Sequence, residues 1–234
     1  MIGLVHNKAA AEEKAKTQEL TNAHFFEAQY TDLASLKNAA EEVKKITGGD
    51  LNYLVNNAAS PRQLRHIESR RPRTFEVNVL GVIKTTEAFP PLIQVVPEGS
   101  DKKVVTITSG MSDAKLINPV VIPYAAPYSI SKGALNVAIA KYNALYKDEG
   151  ILFFGVCPGI IRTERQSHGL ERRRRRFPPH DCSWAKIIAI KPDFAGQITP
   201  EESAIVVLGL AHKATIEEFG SDYVSRFSTK KWFP

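Results

Sequence analysis

The stretch Pro127 to Lys141, PYSISKGALNVAIAK, sets the reading of this chain. It predicts a helix, and on a helix Tyr128 and Lys132, four residues apart, share one face. Ile130, Leu135, Val137, Ile139 and Ala140 are dense enough for a buried helix, so a phenol and an ammonium are expected together in a partly dry setting. A cation ~4 Å from a phenolate at an effective dielectric of ~20 is worth ~4 kcal/mol, which would draw a tyrosine from ~10 toward ~7. Burial alone pushes a tyrosine the other way, so that figure is an upper bound. By itself the pair is more often a helix-face aromatic beside a snorkelling surface lysine. Its meaning depends on the surrounding chain.

Just upstream, Val104 to Thr108 (VVTIT) is nearly all β-branched and reads as a strand buried on both faces, with Ser109 and Gly110 directly after it. Just downstream, ILFFGVC (151–157) is a second fully buried strand, ending in Pro158 and Gly159. Further out the alternation continues. Met1 to Val5 is a short apolar run, and Asn7 is placed to cap a helix made from KAAAEEKAKTQEL. Ala23 to Ala28 reads as a strand, and Asp32 precedes a helical pattern of Leu33, Leu36, Ala40, Val43 and Ile46 closed by Gly48 and Gly49. Leu51 to Val55 is a strand running into Asn56, Asn57, Ala58 and Ala59, and helical signal from about Pro72 to Val95 must kink or split at Pro90 and Pro91. A last helix begins at Thr199, with Pro200 at its first position and Glu202 completing a capping box, and Ser221 to Phe227 is a candidate final strand. Strands of buried parallel type alternating with helices predict an α/β, Rossmann-like, doubly wound sheet in three layers. Ligands of such sheets bind beyond the carboxyl ends of the strands, which singles out His6, Asn56 with Asn57, Ser109, and Pro158 with Gly159.

Composition bounds the function. With 234 residues, 43% hydrophobic and 24% charged, the chain is expected to be one domain over 1–234. Five of its six net positive charges sit between residues 162 and 176, where seven Arg stand against Glu164 and Glu171. The remainder is near neutral, which argues against a nucleic-acid binder. No apolar run is long enough to span a bilayer, the first sixteen residues lack a signal-peptide pattern, and a cytoplasmic location is the expectation. Cys157 and Cys182 make no disulfide framework, and the six His show no metal-ligand spacing.

Taken in order, these residues resemble the short-chain dehydrogenase/reductase family. The motifs are Asp32-Leu33 after one strand, Asn56-Asn57-Ala58-Ala59 after the next, and Asn78 in the following helix. Ser109 then follows a strand, Tyr128-Ser129-Ile130-Ser131-Lys132 opens a helix, and Pro158-Gly159-Ile160-Ile161-Arg162-Thr163 follows the next strand. The resemblance covers residues 1 to about 163 well and 197 to 234 loosely. It implies an NAD(P)-dependent oxidoreductase that reduces a small carbonyl compound or oxidises the alcohol, and that forms homo-oligomers. It also implies roles. Tyr128 would be the general acid/base, Lys132 would lower its pKa and bind the nicotinamide ribose, and Ser109 would orient the carbonyl. Asn78 would hold the water of a proton relay behind Lys132. Asp32 and Leu33 would meet the adenine, Asn57 and Ala58 the adenine ribose side, and Ile161 and Thr163 the nicotinamide carboxamide. Each has a local competitor: Asp32 as a helix cap, Asn56 and Asn57 as turn formers, Ser109 as part of an ordinary turn.

Two departures qualify the resemblance. The family opens with a strand and a Gly-x-x-x-Gly-x-Gly turn that cradles the cofactor diphosphate, and the fourteen Gly of this chain contain no such turn. Met1 to Val5 aligns with the family's second strand, so the expected N-terminally truncated sheet lacks the strand between the second and fourth, leaving those two across a gap. Either an amino-terminal segment precedes Met1 in a normal enzyme, the favoured expectation, or a truncated, non-catalytic binding or scaffold protein exists. If residues 1–234 are the whole protein, very weak dinucleotide binding is expected. The second departure is the segment 164–196, with five consecutive Arg (172 to 176), where the family keeps a substrate-covering helix. A solvated loop is expected there, with nuclear targeting, an acidic partner or unspliced sequence as alternatives. At the end of the first strand, His6-Asn7-Lys8 carries no acidic residue to grip a ribose hydroxyl, which leans toward NADP over NAD.

Overall fold

The computed structural model describes residues 1–59, 74–97, 99–120, 125–162 and 196–219, together with the backbone of 223–225. Thr163, the Arg172 to Arg176 run, Pro72 and nearly all of segment 164–196 lie outside the described residues.

Strand β1 (Ile2–Val5) leads into α1 (Lys8–Thr17), capped by Asn7, whose side chain accepts the Ala10 N–H. After β2 (His24–Glu27), α2 (Leu33–Thr47) begins at an Asp32 cap accepting the Ala34 N–H at 2.9 Å. It stops where Gly48 takes a left-handed φ of 73°. β3 (Tyr53–Asn56) follows. The next helical stretch opens with a π-turn, Glu76–Leu80, continues as α3 (Gly81–Ala88), and breaks before α4 (Pro90–Gln94), where Pro90 takes the first helical position. Beyond β4 (Lys102–Ile107), the predicted loop contains a 3-10 turn, Gly110–Ser112, and a short helix α5 (Ala114–Val120). α6 (Ala126–Tyr146), β5 (Ile151–Cys157), α7 (Pro200–Lys213), α8 (Ile216–Phe219) and β6 (Tyr223–Ser225) complete the order. The capping box at Thr199 and Glu202 is fully formed.

All ladders are parallel, but the strands form two sheets rather than one: β2 beside β1, and β3-β4-β5-β6. Among the described residues no strand joins β1 to β3. Parallel pairing directs alternate peptide groups to opposite edges. Because Met1 and Val5 carbonyls accept from β2's side and Asn52 from β4's, the backbone groups of Ile2, Leu4, Tyr53 and Val55 turn to the open edges.

Helices cover both faces. On one, Leu36 and Val43 of α2, Leu92 and Ile93 of α4, and Ile139 of α6 pack against Leu54, Val104 and Phe153, with Ile2, Leu4 and Phe26 resting on the same cluster. On the other, Val207, Leu210 and Phe219 pack against Val105, Leu152, Phe154 and Val156. Adjacent pairs such as Val104 and Val105 thus serve opposite cores, which is why β4 and β5 read as continuous apolar runs. The α/β layering is the predicted one. Lys103 is buried at the amino end of β4, paired to Asp101 at 3.2 Å, while Tyr53 donates to Asp101 at 2.8 Å and its phenol is pushed up to about 12, chiefly by burial. No helix among the described residues is long and apolar enough to cross a membrane.

Candidate active site

The parallel register aligns the carboxyl ends of the four-stranded sheet: Asn56 lies opposite Thr106, and Ile107 opposite Val156. Asn56, Ser109 and Pro158 therefore leave the sheet along one edge, and the first two turns of α6 pack against it.

Tyr128 is half-buried near the start of α6, and Lys132 one turn later is 2% exposed. The expectation of a buried helix holds at Leu135 and Ile139 and is corrected at Ile130 and Val137, which are 64% and 62% exposed. The Lys132 Nζ donates to the Ile107 carbonyl at 2.7 Å and lies 5.9 Å from the centre of the Tyr128 ring. Removal from water lowers Lys132 to about 8. The Tyr128 phenol is raised, not lowered: burial outweighs the hydrogen bond from Ser109 that favours the phenolate. The expected drop toward neutrality is thus corrected for the chain alone. Its physical reason is desolvation, which disfavours the charged phenolate more than the Ser109 hydrogen bond favours it.

Ser109 has extended backbone and caps the 3-10 turn, its Oγ accepting the Met111 N–H at 3.2 Å. Asn78 is fully buried in the π-turn, and its Nδ2 donates to Ser131 Oγ at 3.1 Å. Ser131 Oγ in turn donates to the Tyr128 carbonyl at 2.7 Å. Asn78 therefore reaches the turn of α6 that carries Tyr128. A π-turn aims one extra side chain at a neighbouring helix, and such turns recur at functional sites. Ser131 was visible in the sequence only as a spacer within the motif.

The proposed adenine side is more dispersed. Asp32 acts as the α2 cap, and Leu33, partly buried, packs on the first core. Asn57 is exposed, whereas Asn56 is buried, donating weakly to Thr86 at 3.3 Å and Thr106 at 3.5 Å. The Ala58 N–H bonds the phenol oxygen of Tyr30, a residue the sequence reading missed. Tyr30's carbonyl approaches α3 at Gly81, where a Cβ would stand only 3.1 Å from it. Ile161 forms a parallel bridge with Ile198 beyond β5, at the edge of the site. His6 Nδ1 lies 3.1 Å from Gln29 Nε2, and Lys8 pairs loosely with Glu12 at 3.8 Å.

These residues fit the nicotinamide half of a dinucleotide: a buried ammonium, a phenol and a hydroxyl converge at one strand-end edge, and Asn56 Oδ1 and Thr108 Oγ1 are buried there without a partner. They do not fit the diphosphate half. Among the described residues no glycine-rich turn stands at these strand ends, and the turn after β1, built from His6 and Asn7, falls on the adenosine side because the resemblance aligns β1 with the family's second strand.

The family model for short chain dehydrogenases matches residues 2–173. A short-chain dehydrogenase/reductase of Aspergillus aculeatus, AacuF, is 38% identical over 249 residues, covering 99% of this chain and 89% of that protein. The short chain dehydrogenase virK of Hypocrea virens is 33% identical over 252 residues with the same coverage. Among solved structures, the RhlG/NADP active-site complex of Pseudomonas aeruginosa superposes with a TM-score of 0.73 at 18% identity, over 96% of this chain and 84% of that one. An NADPH-bound carbonyl reductase from chicken fatty liver does so with a TM-score of 0.72 at 19% identity, over 96% and 82%. At these identities the structural likeness establishes the fold.

Proposed function

The chain belongs to the short-chain dehydrogenase/reductase family of NAD(P)-dependent oxidoreductases, and within it we propose that Tyr128, Lys132 and Ser109 serve reduction of a small carbonyl compound or oxidation of the alcohol. The single observation behind this reading is the convergence of a buried Lys132, the Tyr128 phenol and the Ser109 hydroxyl at one strand-end edge. In the reductive direction the Tyr128 hydroxyl gives its proton to the carbonyl oxygen, and the Ser109 hydroxyl donates to the same oxygen as negative charge gathers there. The nicotinamide, when bound, supplies the hydride. Lys132, kept charged, holds the phenolate that remains. Asn78 acts through Ser131 on the backbone of Tyr128, and a water relay behind Lys132 is compatible with that place.

For the cofactor, Lys132 would meet the nicotinamide ribose and Ile161 and Thr163 the carboxamide, with Asp32, Leu33, Asn57 and Ala58 on the adenosine side. A preference for NADP is supported by the lack of an acidic residue in His6-Asn7-Lys8 and by the NADP named in the Pseudomonas complex. A second copy is the expected partner, since Ile130, Val137 and Leu145 form an exposed apolar row along α6.

A second reading, a non-catalytic scaffold that keeps the fold, draws support from the separation of the two sheets. Titrating the purified chain with NADPH and NADH by fluorescence, followed by reduction of a panel of small aldehydes and ketones read at the nicotinamide absorbance, separates the two. Weak but saturable binding with turnover lost in Tyr128→Phe supports the enzyme; no binding and no turnover would leave the scaffold.

A further inference from the structure

The Ser109 turn must be held at the right separation from Tyr128, yet the two belong to different layers, one leaving the sheet and one riding on α6. Most bonds of the turn are internal: Met111 N–H to Ser109 Oγ at 3.2 Å, Ser112 N–H to the Ser109 carbonyl at 3.0 Å, and Ser112 Oγ to that same carbonyl at 2.6 Å. Besides the Ser109 hydroxyl's own bond to the Tyr128 phenol, two side chains fasten it to its surroundings. From β5, Cys157 Sγ accepts the Gly110 N–H at 3.1 Å and ties the turn to the sheet. From α6, Asn136 Nδ2 donates to Ser112 Oγ at 3.0 Å. Residues 128, 132 and 136 are successive four-residue steps on one helix face, so Asn136 belongs to the same face as Tyr128 and Lys132. Its other amide atom, Oδ1, is buried without a partner among the described residues, so the amide stands there only half satisfied.

We propose that Asn136 is a positioning residue that, by way of Ser112, holds the Ser109 hydroxyl in register with the Tyr128 phenol. Cys157 sets the turn relative to the sheet; Asn136 sets it relative to the helix that carries the acid. Donation from Asn136 occupies a lone pair of Ser112 Oγ and so directs the Ser112 proton onto the Ser109 carbonyl, and both bonds fall out of line together when the amide is removed. The role rests on the assignment of Ser109 and Tyr128 made above.

The test reads the phenol directly and needs neither cofactor nor substrate, so it stands even if the chain proves inactive. With tyrosine labelled at the ring carbon bearing the hydroxyl, NMR follows each phenol from about pH 7 to about pH 12.5, and Tyr128 is the signal missing in Tyr128→Phe. Ser109→Ala removes a hydrogen bond to the phenolate and should raise the Tyr128 midpoint by about one pH unit. Asn136→Ala and Ser112→Ala should each raise it by about half a unit, and the double variant no further than the larger single, as expected for two members of one linkage. Should Asn136→Ala fail to fold by circular dichroism, Ser112→Ala carries the same prediction. A lowered melting temperature with the Tyr128 midpoint unchanged in both variants would make Asn136 a packing residue only and overturn the proposal. A midpoint unmoved by Ser109→Ala would overturn it as well.

Discussion

Replacing Lys132 by methionine tests how much stability this fold gives up to keep an ammonium beside its tyrosine. The side chain is 2% exposed and its amine is lowered from 10.5 to about 8 by burial. A lysine whose folded pKa is depressed destabilises the fold wherever both states are protonated, below about 8, and that penalty is relieved as pH rises toward the unfolded value. The full difference of roughly 2.5 pH units corresponds to about 3 kcal/mol, of which about 2.5 kcal/mol should be recovered between about pH 7 and about pH 10. Methionine keeps the length and packs without the charge, but it leaves the Ile107 carbonyl without its 2.7 Å donor, which costs about 1–3 kcal/mol. Near pH 7 the two effects nearly offset, and Lys132→Met should equal or modestly exceed the parent in stability. Near pH 10 the parent should lead by about 2 kcal/mol. Urea unfolding of both proteins at the two pH values measures this. A stability difference constant within about 0.5 kcal/mol across that range would refute the reasoning, because it would mean that Lys132 titrates as an ordinary exposed lysine.

Other substitutions probe single links. Tyr128→Phe should leave urea stability nearly unchanged while lowering any carbonyl-reducing rate by about 10²–10⁴, the usual contribution of a positioned acid, and steady-state kinetics decide it. Asp32→Ala should cost about 1 kcal/mol by loss of the α2 cap, and Asp32→Asn should restore most of it. If Asp32→Asn nevertheless weakens NADPH binding, the carboxylate contacts the cofactor as well. Gly155→Ala places a Cβ 3.0 Å from both Ile139 Cδ1 and Thr108 Cγ2 inside the packed core, and should cost about 1–3 kcal/mol in thermal or urea unfolding.

Local features were readable because local chemistry makes them. Caps at Asn7, Asp32 and Thr199 depend on residues two or three apart, and all three form as expected. The buried strand ILFFGVC is apolar on both sides because two cores claim alternate residues. The Tyr128 and Lys132 spacing, too, follows from helix geometry alone. Family membership was legible for the same reason, in short motifs kept in order. Side-chain exposure on α6 was not: Ile130 and Val137 look like core residues by type, and only the placement of β4 and β5 decides which face is covered.

The Tyr128 and Lys132 pair shows the division most plainly. Sequence alone determined that a phenol and an ammonium stand on one helix face beside a strand-end serine. Tertiary structure decided their charge states, because desolvation depends on every element packed around them, and here it raises the phenol and lowers the amine. It also decided that Lys132 donates to the Ile107 carbonyl and that Asn136 reaches the Ser109 turn through Ser112. Each of these joins residues far apart in the chain or absent from any local pattern, and such contacts exist only once the layers have closed.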